Sequence, residues 1–277
     1  MEQNAAGGTD CAAGAGGNQP TARTAAHVCQ QKITDERGNI SLSEPHAVYF
    51  VRHGQPEWSS GGVGIDEPEL TEFGRRQAEC VGRHLCRLPV TDFYVSNLLR
   101  ARQTAAPLAG LLGREPEIAD WYQEIQAKNL DQRPLSEVEE YFRCWYQMSL
   151  TERYAGPPEG ESLQHAYRRI SEGLDAVLQK AGFSFEADGR YRRWHLPKEP
   201  RCIVLVGHTF ASAIALCHLL DLEYTGASGE QFRLGWGAYN KVVPFPLAGG
   251  FVWRLQAFDV RGHLMAQGLS REDLPLY

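Results

Sequence analysis

Short apolar runs alternate with amphipathic stretches along the chain from Ala47 onward. Runs rich in β-branched and aromatic residues at 48–51, 92–96 and 202–208 predict strands, and the last run is as continuous as the central strands of parallel sheets. Apolar residues recur at helical spacing elsewhere, which predicts helices at 71–88, within 98–112, at 135–145, at 163–181 and at 210–220. Thr71 is the expected N-cap of the first helix, whereas Pro107 leaves the start of the second open.

Two segments near the C-terminus have the pattern of a β-hairpin. They are AYNKVVPF (238–245) and FVWRLQAFDV (251–260), separated by Pro246 and Gly249-Gly250. EPEIADWYQEI (115–125) is typical of a short strand that leads into a loop, and the polar, Arg-rich stretch 183–200 is interpreted as an insertion loop. The alternation of strands and helices predicts an α/β fold, a three-layer α/β/α sandwich with a mostly parallel central sheet.

The first 45 residues lack apolar periodicity and are rich in Ala, Gly, Thr and Gln. Such a segment cannot bury enough apolar surface to offset the entropy lost on ordering, so we predict a disordered extension at 1–45 and one domain at 46–277. Glu2 and Asp10 stand where an export signal needs a strongly apolar segment, and no export is predicted. Polar residues interrupt the apolar run 202–220, which favours a buried strand and helix over a membrane span.

Charge and cysteine content narrow the range of partners. With 28 Lys and Arg against 34 Asp and Glu, the formal net charge is -6. This mild acidity argues against nucleic acid or an anionic membrane as a partner, so any anion must be bound by a few local positive groups. The seven cysteines are odd in number, scattered and without metal-site spacing. That pattern is typical of reduced thiols in a cytoplasmic protein.

Two of the predicted strands end in a histidine. YFVRHGQ (49–55) brings Arg52 and His53 to the end of the first strand, and IVLVGHT (203–209) ends with His208 after the last. Ligands of parallel α/β sheets bind at the carboxyl ends of the strands, so two such imidazoles can lie side by side. A lone histidine is more often a satisfied core residue. Arg52 favours a site, because a guanidinium at the end of a buried strand needs an anion.

A second basic group occurs in SNLLRARQTA (96–105). Arg100 and Arg102 lie at the predicted start of a helix, where exposed backbone N–H groups and the helix dipole also favour an anion. A solvated helix face is the alternative, and it stays open for Arg102.

Five segments, in this order, resemble the histidine phosphatase superfamily, also called the phosphoglycerate mutase-like family. They are Arg52-His53-Gly54, LTEFGRRQA (70–78), SNLLRARQTA (96–105), PEGES (158–162) and Gly207-His208. The resemblance covers about residues 47–264 and implies a phosphoglycerate mutase-like fold. It also assigns Arg100 to the phosphate pocket.

The resemblance implies a metal-independent phosphomonoester hydrolase that acts through a phosphohistidine and needs no cofactor. His53 is then the nucleophile and Glu124 the general acid. The implied phosphate-binding residues are Arg52, Arg100 and His208. The expected partner is a small-molecule phosphate ester, and the oligomeric state is left open.

Two carboxylates compete for the role of the acid. Glu124 is chosen by its position in the family pattern, and a salt bridge at a helix N-terminus is its alternative role. Glu161 is surrounded by Pro158, Gly160 and Ser162, which indicates a helix-start cap and a structural role.

The chain departs from the family pattern at two positions. Ser59 stands where many members have an asparagine that touches phosphate, and Thr209 stands where a glycine often follows the second histidine. The first change leaves one phosphate contact in question, and the second alters how closely a substrate approaches.

Two other functions are weighed against hydrolysis. A phosphoglycerate mutase uses the same pocket, but its usual sequence is not reproduced by WSSGGVGIDEPE (58–69). A non-catalytic protein that binds phosphorylated ligands is the other alternative. Specificity is expected from Trp58, residues 59–68, residues 127–154 and the insertion near Tyr191. The remaining tryptophans considered, Trp121, Trp145, Trp194 and Trp236, are expected to pack in the core or at the rim.

Overall fold

A computed structural model describes residues 46–270, so the predicted extension at 1–45 lies outside the described residues. The strands are β1 (His46–Arg52), β2 (Ser59–Ser60), β3 (Val63–Gly64), β4 (Asp92–Val95), β5 (Glu117–Ile118), β6 (Ser184–Asp188), β7 (Tyr191–His195), β8 (Arg201–Gly207), β9 (Tyr239–Leu247) and β10 (Gly250–Val260). The helices are α1 (Glu72–Leu85), α2 (Leu99–Leu112), α3 (Leu135–Gln147), α4 (Leu150–Ala155), α5 (Leu163–Lys180), α6 (Thr209–Leu219), α7 (Ser228–Gln231) and α8 (Gly262–Met265), and a 3-10 turn covers Asp120–Tyr122.

The described part of the chain forms one large mixed sheet in the strand order β5-β4-β8-β1-β9-β10-β7-β6. The strands β5, β4, β8 and β1 are parallel, and the other four continue the sheet in antiparallel fashion beyond β1. β2 and β3 form a separate two-stranded ribbon. β1 and β8 pair in register from His46 with Arg201 to Arg52 with Gly207. Their carboxyl ends are therefore direct neighbours.

Apolar side chains of the parallel strands alternate between the two faces of the sheet, as the strand period requires. Val48 and Phe50 of β1 pack in one core cluster with α5 and α6. Tyr49 and Val51 pack in the opposite cluster with α1 and α2. Helices thus cover both faces, and the predicted α/β sandwich is confirmed, with antiparallel strands extending its parallel centre.

Most predicted elements have close counterparts in the structure. Thr71 caps α1, since its hydroxyl accepts a hydrogen bond of 3.0 Å from Gly74 N. The apolar run 202–220 is β8 followed by α6, and no helix within residues 46–270 is long and apolar enough to cross a membrane. α2 begins at Leu99 and continues through Pro107 instead of starting there.

The interpretation of 183–200 as an insertion loop is wrong. The segment forms a hairpin of β6 and β7, and β7 pairs with β10 towards one edge of the sheet. Trp194 is buried against Trp253, with ring centroids 5.8 Å apart. Arg192 is bound by Asp221 at 2.9 Å. Because carboxylates from outside the hairpin bind its arginine, a stretch rich in arginine still forms strands.

Two glycines of the matched segments meet in a close backbone contact. Gly54 follows His53, and Gly74 lies in the first turn of α1. A Cβ atom at Gly54 would lie 2.5 Å from Gly74 O, and a Cβ atom at Gly74 would overlap Gln55 O. Thr71 N also donates to Gln55 O at 3.0 Å. The absence of side chains therefore lets α1 hold the loop that follows His53.

Gly74→Ala is expected to lower the free energy of unfolding by about 1–3 kcal/mol, because the added methyl forces this contact apart. Gly110 in α2 is the matched control, since a Cβ atom there meets nothing within 4 Å. Gly110→Ala is expected to raise the free energy of unfolding by about 0.5–1 kcal/mol, since alanine favours a helix over glycine. Urea unfolding followed by circular dichroism measures both, and an unchanged value for Gly74→Ala would contradict the contact.

Candidate active site

The two histidines lie together where β1 and β8 end. His53 N donates a hydrogen bond of 2.9 Å to Gly207 O, and the ring centroids of His53 and His208 are 5.2 Å apart. Neither imidazole is accessible, because His53 is 3% exposed and His208 is 0% exposed. Their position at the carboxyl ends of parallel strands is the usual location of a ligand site in an α/β sheet.

His53 is held in one tautomer. Its Nδ1 lies 2.8 Å from Gly54 O, and since a carbonyl oxygen only accepts, Nδ1 carries the proton and donates it. Nε2 is then left with a lone pair. Burial, followed by the charges of Arg100 and Arg52, lowers the pKa of His53 well below 6.5. The imidazole is therefore neutral and nucleophilic at neutral pH.

His208 is fixed by a residue that the sequence interpretation did not single out. Ser96, fully buried after β4, places its hydroxyl 2.8 Å from His208 Nε2. Burial, with Arg100 and His53, lowers the pKa of His208 well below 6.5. Ser96 is the first residue of SNLLRARQTA, so the segment was visible in the sequence although the contact was not.

Two buried arginines supply the positive charge of the site. Arg52 is 6% exposed and Arg100 is 5% exposed. Arg52 Nη1 donates to Leu234 O, whereas Nε and Nη1 of Arg100 have no hydrogen-bond partner among residues 46–270. Buried guanidinium donors without partners favour an anion beside them. Arg102 is exposed on α2 and does not reach the site, so its solvated alternative holds.

Each arginine lies over an indole ring. The Arg100 guanidinium is 4.9 Å from the ring centroid of Trp58, and that of Arg52 is 5.5 Å from the centroid of Trp236. Trp58 also packs edge-on against His53, with centroids 6.5 Å apart. The two tryptophans therefore flank the charged groups.

Glu124 lies at the N-terminus of α6. Its carboxylate accepts hydrogen bonds from Phe210 N at 3.2 Å and from Ala211 N at 3.1 Å. Burial raises the pKa of Glu124, although hydrogen bonds from the backbone of Phe210 and Ile125 and the charges of Arg100 and Arg52 oppose the rise. The helix N-terminal contact that was considered as the alternative role of Glu124 is therefore present. The same carboxylate is also subject to the charges of the two arginines.

Glu161 has a structural environment. Its carboxylate is bound by Arg169 at 2.6 Å and by His165 at 2.7 Å, while Ser162 provides the N-cap of α5. The expected structural role therefore agrees with its contacts, but the cap itself is the neighbouring serine.

Two threonines connect the site to its surroundings. Thr104 Oγ1 accepts a hydrogen bond from Gly54 N at 3.0 Å and donates to Arg100 O at 2.7 Å. Thr209 Oγ1 accepts one from Leu234 N at 2.9 Å. Through these bonds the loop after His53 is joined to α2, and the start of α6 is joined to the segment that binds Arg52. The contact of Thr104 could not be read from the sequence.

A cavity of about 530 Å³ adjoins these groups. Arg52, Arg100, Glu124 and Thr209 line it, whereas His53 and His208 are not among its lining residues. Trp58 and residues from 64–66 and 123–146 also line it, whereas Tyr191 and Ser59 do not. Of the regions expected to give specificity, the insertion near Tyr191 therefore does not line the cavity.

The tryptophans assigned to packing have different environments. Trp194 is a core residue, as expected, whereas Trp145 and Trp236 line the cavity. Within the described residues, no three His, Cys, Asp or Glu side chains lie together as metal ligands.

Residues 48–244 match the Histidine phosphatase superfamily (branch 1). The chain belongs to this superfamily. Over 178 residues it is 31% identical to a protein named Probable phosphoglycerate mutase GpmB from Erwinia tasmaniensis, an alignment that covers 63% of this chain and 75% of that protein. A protein of the same name from Yersinia pestis is 32% identical over 135 residues, which are 48% of this chain and 63% of that protein.

Several solved structures of other proteins share the fold. A mycobacterial glucosyl-3-phosphoglycerate phosphatase has a TM-score of 0.60 at 20% identity, over 77% of this chain and 99% of that chain. A phosphoserine phosphatase mutant from Entamoeba histolytica has a TM-score of 0.57 at 21% identity, over 79% of this chain and 99% of that chain. At this level of identity the likeness concerns the fold.

Of the two departures from the family pattern, the contacts of the structure explain Thr209. Thr209 is buried at the start of α6, and its hydroxyl binds Leu234 N. A glycine would lose that bond and with it one connection to the segment that accepts from Arg52. Ser59 pairs with Gly64 in the β2–β3 ribbon and does not reach the cavity.

Proposed function

We propose that the protein is a metal-independent phosphomonoester hydrolase that forms a phosphohistidine on His53. The observation that carries the proposal is a neutral, oriented imidazole buried beside two arginines, with a carboxyl of raised pKa in the adjoining cavity. Such groups are those needed for nucleophilic attack, charge stabilisation and protonation of a leaving alcohol.

In the first step, His53 Nε2 attacks phosphorus and the bond to the ester oxygen breaks. The proton of the Glu124 carboxyl passes to the leaving oxygen, so an alcohol departs and a carboxylate remains. Arg52, Arg100 and His208 bind the oxygens of the transferred group. Because His53 is 3% exposed and packs against Trp58, the indole must move away from the imidazole when the phosphoryl group enters.

In the second step, water attacks phosphorus and the nitrogen–phosphorus bond breaks. Glu124, now ionised, accepts a proton from that water and returns to its protonated form. Inorganic phosphate leaves and His53 is again neutral, so the cycle needs neither a cofactor nor a redox partner. The two arginines supply the charge that a divalent cation supplies in other phosphoryl-transfer sites.

Hydrolysis is favoured over mutation of phosphoglycerate by the size of the cavity. A volume of about 530 Å³ is in the range of sites that hold drug-sized ligands and exceeds what a three-carbon acid fills. The relatives named as probable phosphoglycerate mutases support the mutase alternative. A binding protein without turnover is disfavoured, because every group of the proposed cycle is present.

We place the protein in the cytoplasm with a small-molecule phosphate ester as its partner. The free thiols of Cys80, Cys86, Cys144, Cys202 and Cys217 support a reducing compartment.

One preparation of wild-type protein tests the proposal against both alternatives. Phosphate release from a panel of phosphomonoesters in excess EDTA is compared with interconversion of 2- and 3-phosphoglycerate. We expect release that EDTA does not change, with interconversion slower than release. Faster interconversion would identify a mutase, loss of activity in EDTA would contradict the mechanism, and binding of esters without turnover would leave the non-catalytic alternative.

A further inference from the structure

The wall of the cavity beyond the arginines is rich in aromatic side chains. Helix α3 contributes Tyr141, Phe142, Trp145 and Tyr146, and Phe210 adds a ring from α6. Phe210 is also the residue whose N–H binds Glu124, at 3.2 Å. The alcohol that receives the proton of Glu124 therefore leaves beside an aromatic ring.

The polar atoms of this wall are largely engaged by the protein itself. The hydroxyl of Tyr141 donates to Pro158 O and accepts from Lys128 N, both at 3.1 Å, so the ring rather than the hydroxyl is offered to a ligand. Asp66 accepts from Leu130 N at 3.1 Å.

The cations of the wall have carboxylate partners. Lys128 is bound by Glu159 at 2.7 Å, and Arg233 is bound by Glu230 at 2.8 Å. Glu159 and Glu230 already offset the charge of these cations, so a substrate carboxylate, as in phosphoglycerate or phosphoserine, gains less attraction from them. An uncharged leaving group does not depend on them.

We infer that the substrates are phosphomonoesters of bulky, uncharged alcohols that carry an aromatic or other large apolar group. The inference rests on the proposed hydrolase function and adds the class of leaving group. The phosphate binds between Arg52 and Arg100, the ester oxygen faces Glu124, and the apolar body of the alcohol lies between the Trp58 side of the cavity and α3. Binding energy then comes from aromatic contact and from apolar surface removed from water.

A series of primary alkyl phosphates tests the inference, because the leaving oxygen is chemically similar throughout. Ethyl phosphate, 2-phenylethyl phosphate and 2-(2-naphthyl)ethyl phosphate differ mainly in apolar size. We expect kcat/KM to rise by about tenfold or more with each enlargement of the ring system, the discrimination typical of a fitted apolar pocket. The charged 3-phosphoglycerate is expected to be hydrolysed no faster than ethyl phosphate.

Phe142 provides the matched variant. Phe142→Ala is expected to lower kcat/KM for the naphthyl ester by about tenfold while that for ethyl phosphate changes less than about twofold. Gln147→Ala is the control, since Gln147 is exposed on the same helix and does not line the cavity. Phe142→Leu keeps an apolar side chain for packing and tests the ring if the alanine variant does not fold.

The outcomes separate this inference from the function on which it rests. Hydrolysis of all three alkyl esters at similar kcat/KM, or a preference for 3-phosphoglycerate over 2-phenylethyl phosphate, would overturn the substrate class and leave the hydrolase intact. A naphthyl preference that Phe142→Leu does not reduce would contradict the part assigned to α3. Folded protein that releases phosphate from no ester would overturn both.

Discussion

Replacing His53 with alanine is expected to reduce phosphate release by at least about 10⁴-fold, the scale found when a catalytic nucleophile is removed. His53 combines a neutral, oriented imidazole with an available Nε2 beside two arginines, whereas the Nε2 of His208 is bound to Ser96. The covalent intermediate offers a second readout. After rapid acid-free quenching, wild-type protein should carry an acid-labile, alkali-stable phosphoryl group, and His53→Ala should carry none.

His195→Ala is the matched control for this prediction, because His195 is exposed on β7 and remote from the cavity. It should keep wild-type phosphate release and the labile phosphoryl group. A phosphoryl group that persists in a folded His53→Ala protein would show that another residue is the nucleophile. His208→Ala would then be the variant to examine.

The site is assembled from segments that are far apart in sequence and in contact in the structure. Glu124 and α6 illustrate this, since the carboxylate binds the amides of Phe210 and Ala211. The helix terminus and the carboxyl share one place with the two arginines, so burial and positive charge act on the same group in opposite directions. The raised pKa of Glu124 is the net effect, and it suits the carboxyl to the acid role that we propose.

Patterns with a short period predicted most of the fold. The continuous apolar run of β8 and the helical spacing of α5 were sufficient to predict these elements. Side chains of a strand share a face every two residues, and those of a helix share a face every three to four. The hairpin of β6 and β7 was missed for a corresponding reason. Arg192 is bound by Asp221, which lies elsewhere in the chain, and a local pattern does not contain such a partner.

The candidate site was predictable only in part. Arg52 and His53 stand out in the sequence because charged residues follow a buried strand, and the adjacency of β1 and β8 brings His208 to them. Ser96 and Thr104 did not stand out. Both lie in SNLLRARQTA, but their hydroxyls contact His208 and Gly54, which are distant in sequence, so the segment alone does not show these contacts.

Residues 127–154 were expected to contribute to specificity, but Trp145 among them was expected to pack in the core or at the rim, and it lines the cavity. Val138, Phe142 and Trp145 recur at helical spacing in α3, and that periodicity is the same for a helix that faces a core as for one that faces a cavity. Only the three-dimensional arrangement distinguishes the two cases. The distinction matters for the proposed function, since residues that face the cavity are available to a substrate.

Glu124→Gln is expected to lower kcat/KM by about 10²–10⁴-fold for an alkyl phosphate and far less for p-nitrophenyl phosphate, because p-nitrophenolate leaves without a proton.

The pH profile supplies a second test. Since burial raises the pKa of Glu124 above 4.5, the acid form is lost as pH rises through that raised pKa, and activity on alkyl esters falls on this alkaline side. Since the pKa of His53 lies well below 6.5, the nucleophile stays neutral on the acid side and is lost only at much lower pH.

Glu161→Gln is the matched control, as a buried carboxylate bound to Arg169 outside the cycle. It should keep the difference between the two esters and the alkaline limb of the pH profile. A limb that also persists in Glu124→Gln belongs to the ester, whose second ionisation lies near pH ~6. Equal losses for both esters in Glu124→Gln would remove Glu124 from the role of acid while leaving His53 as the nucleophile.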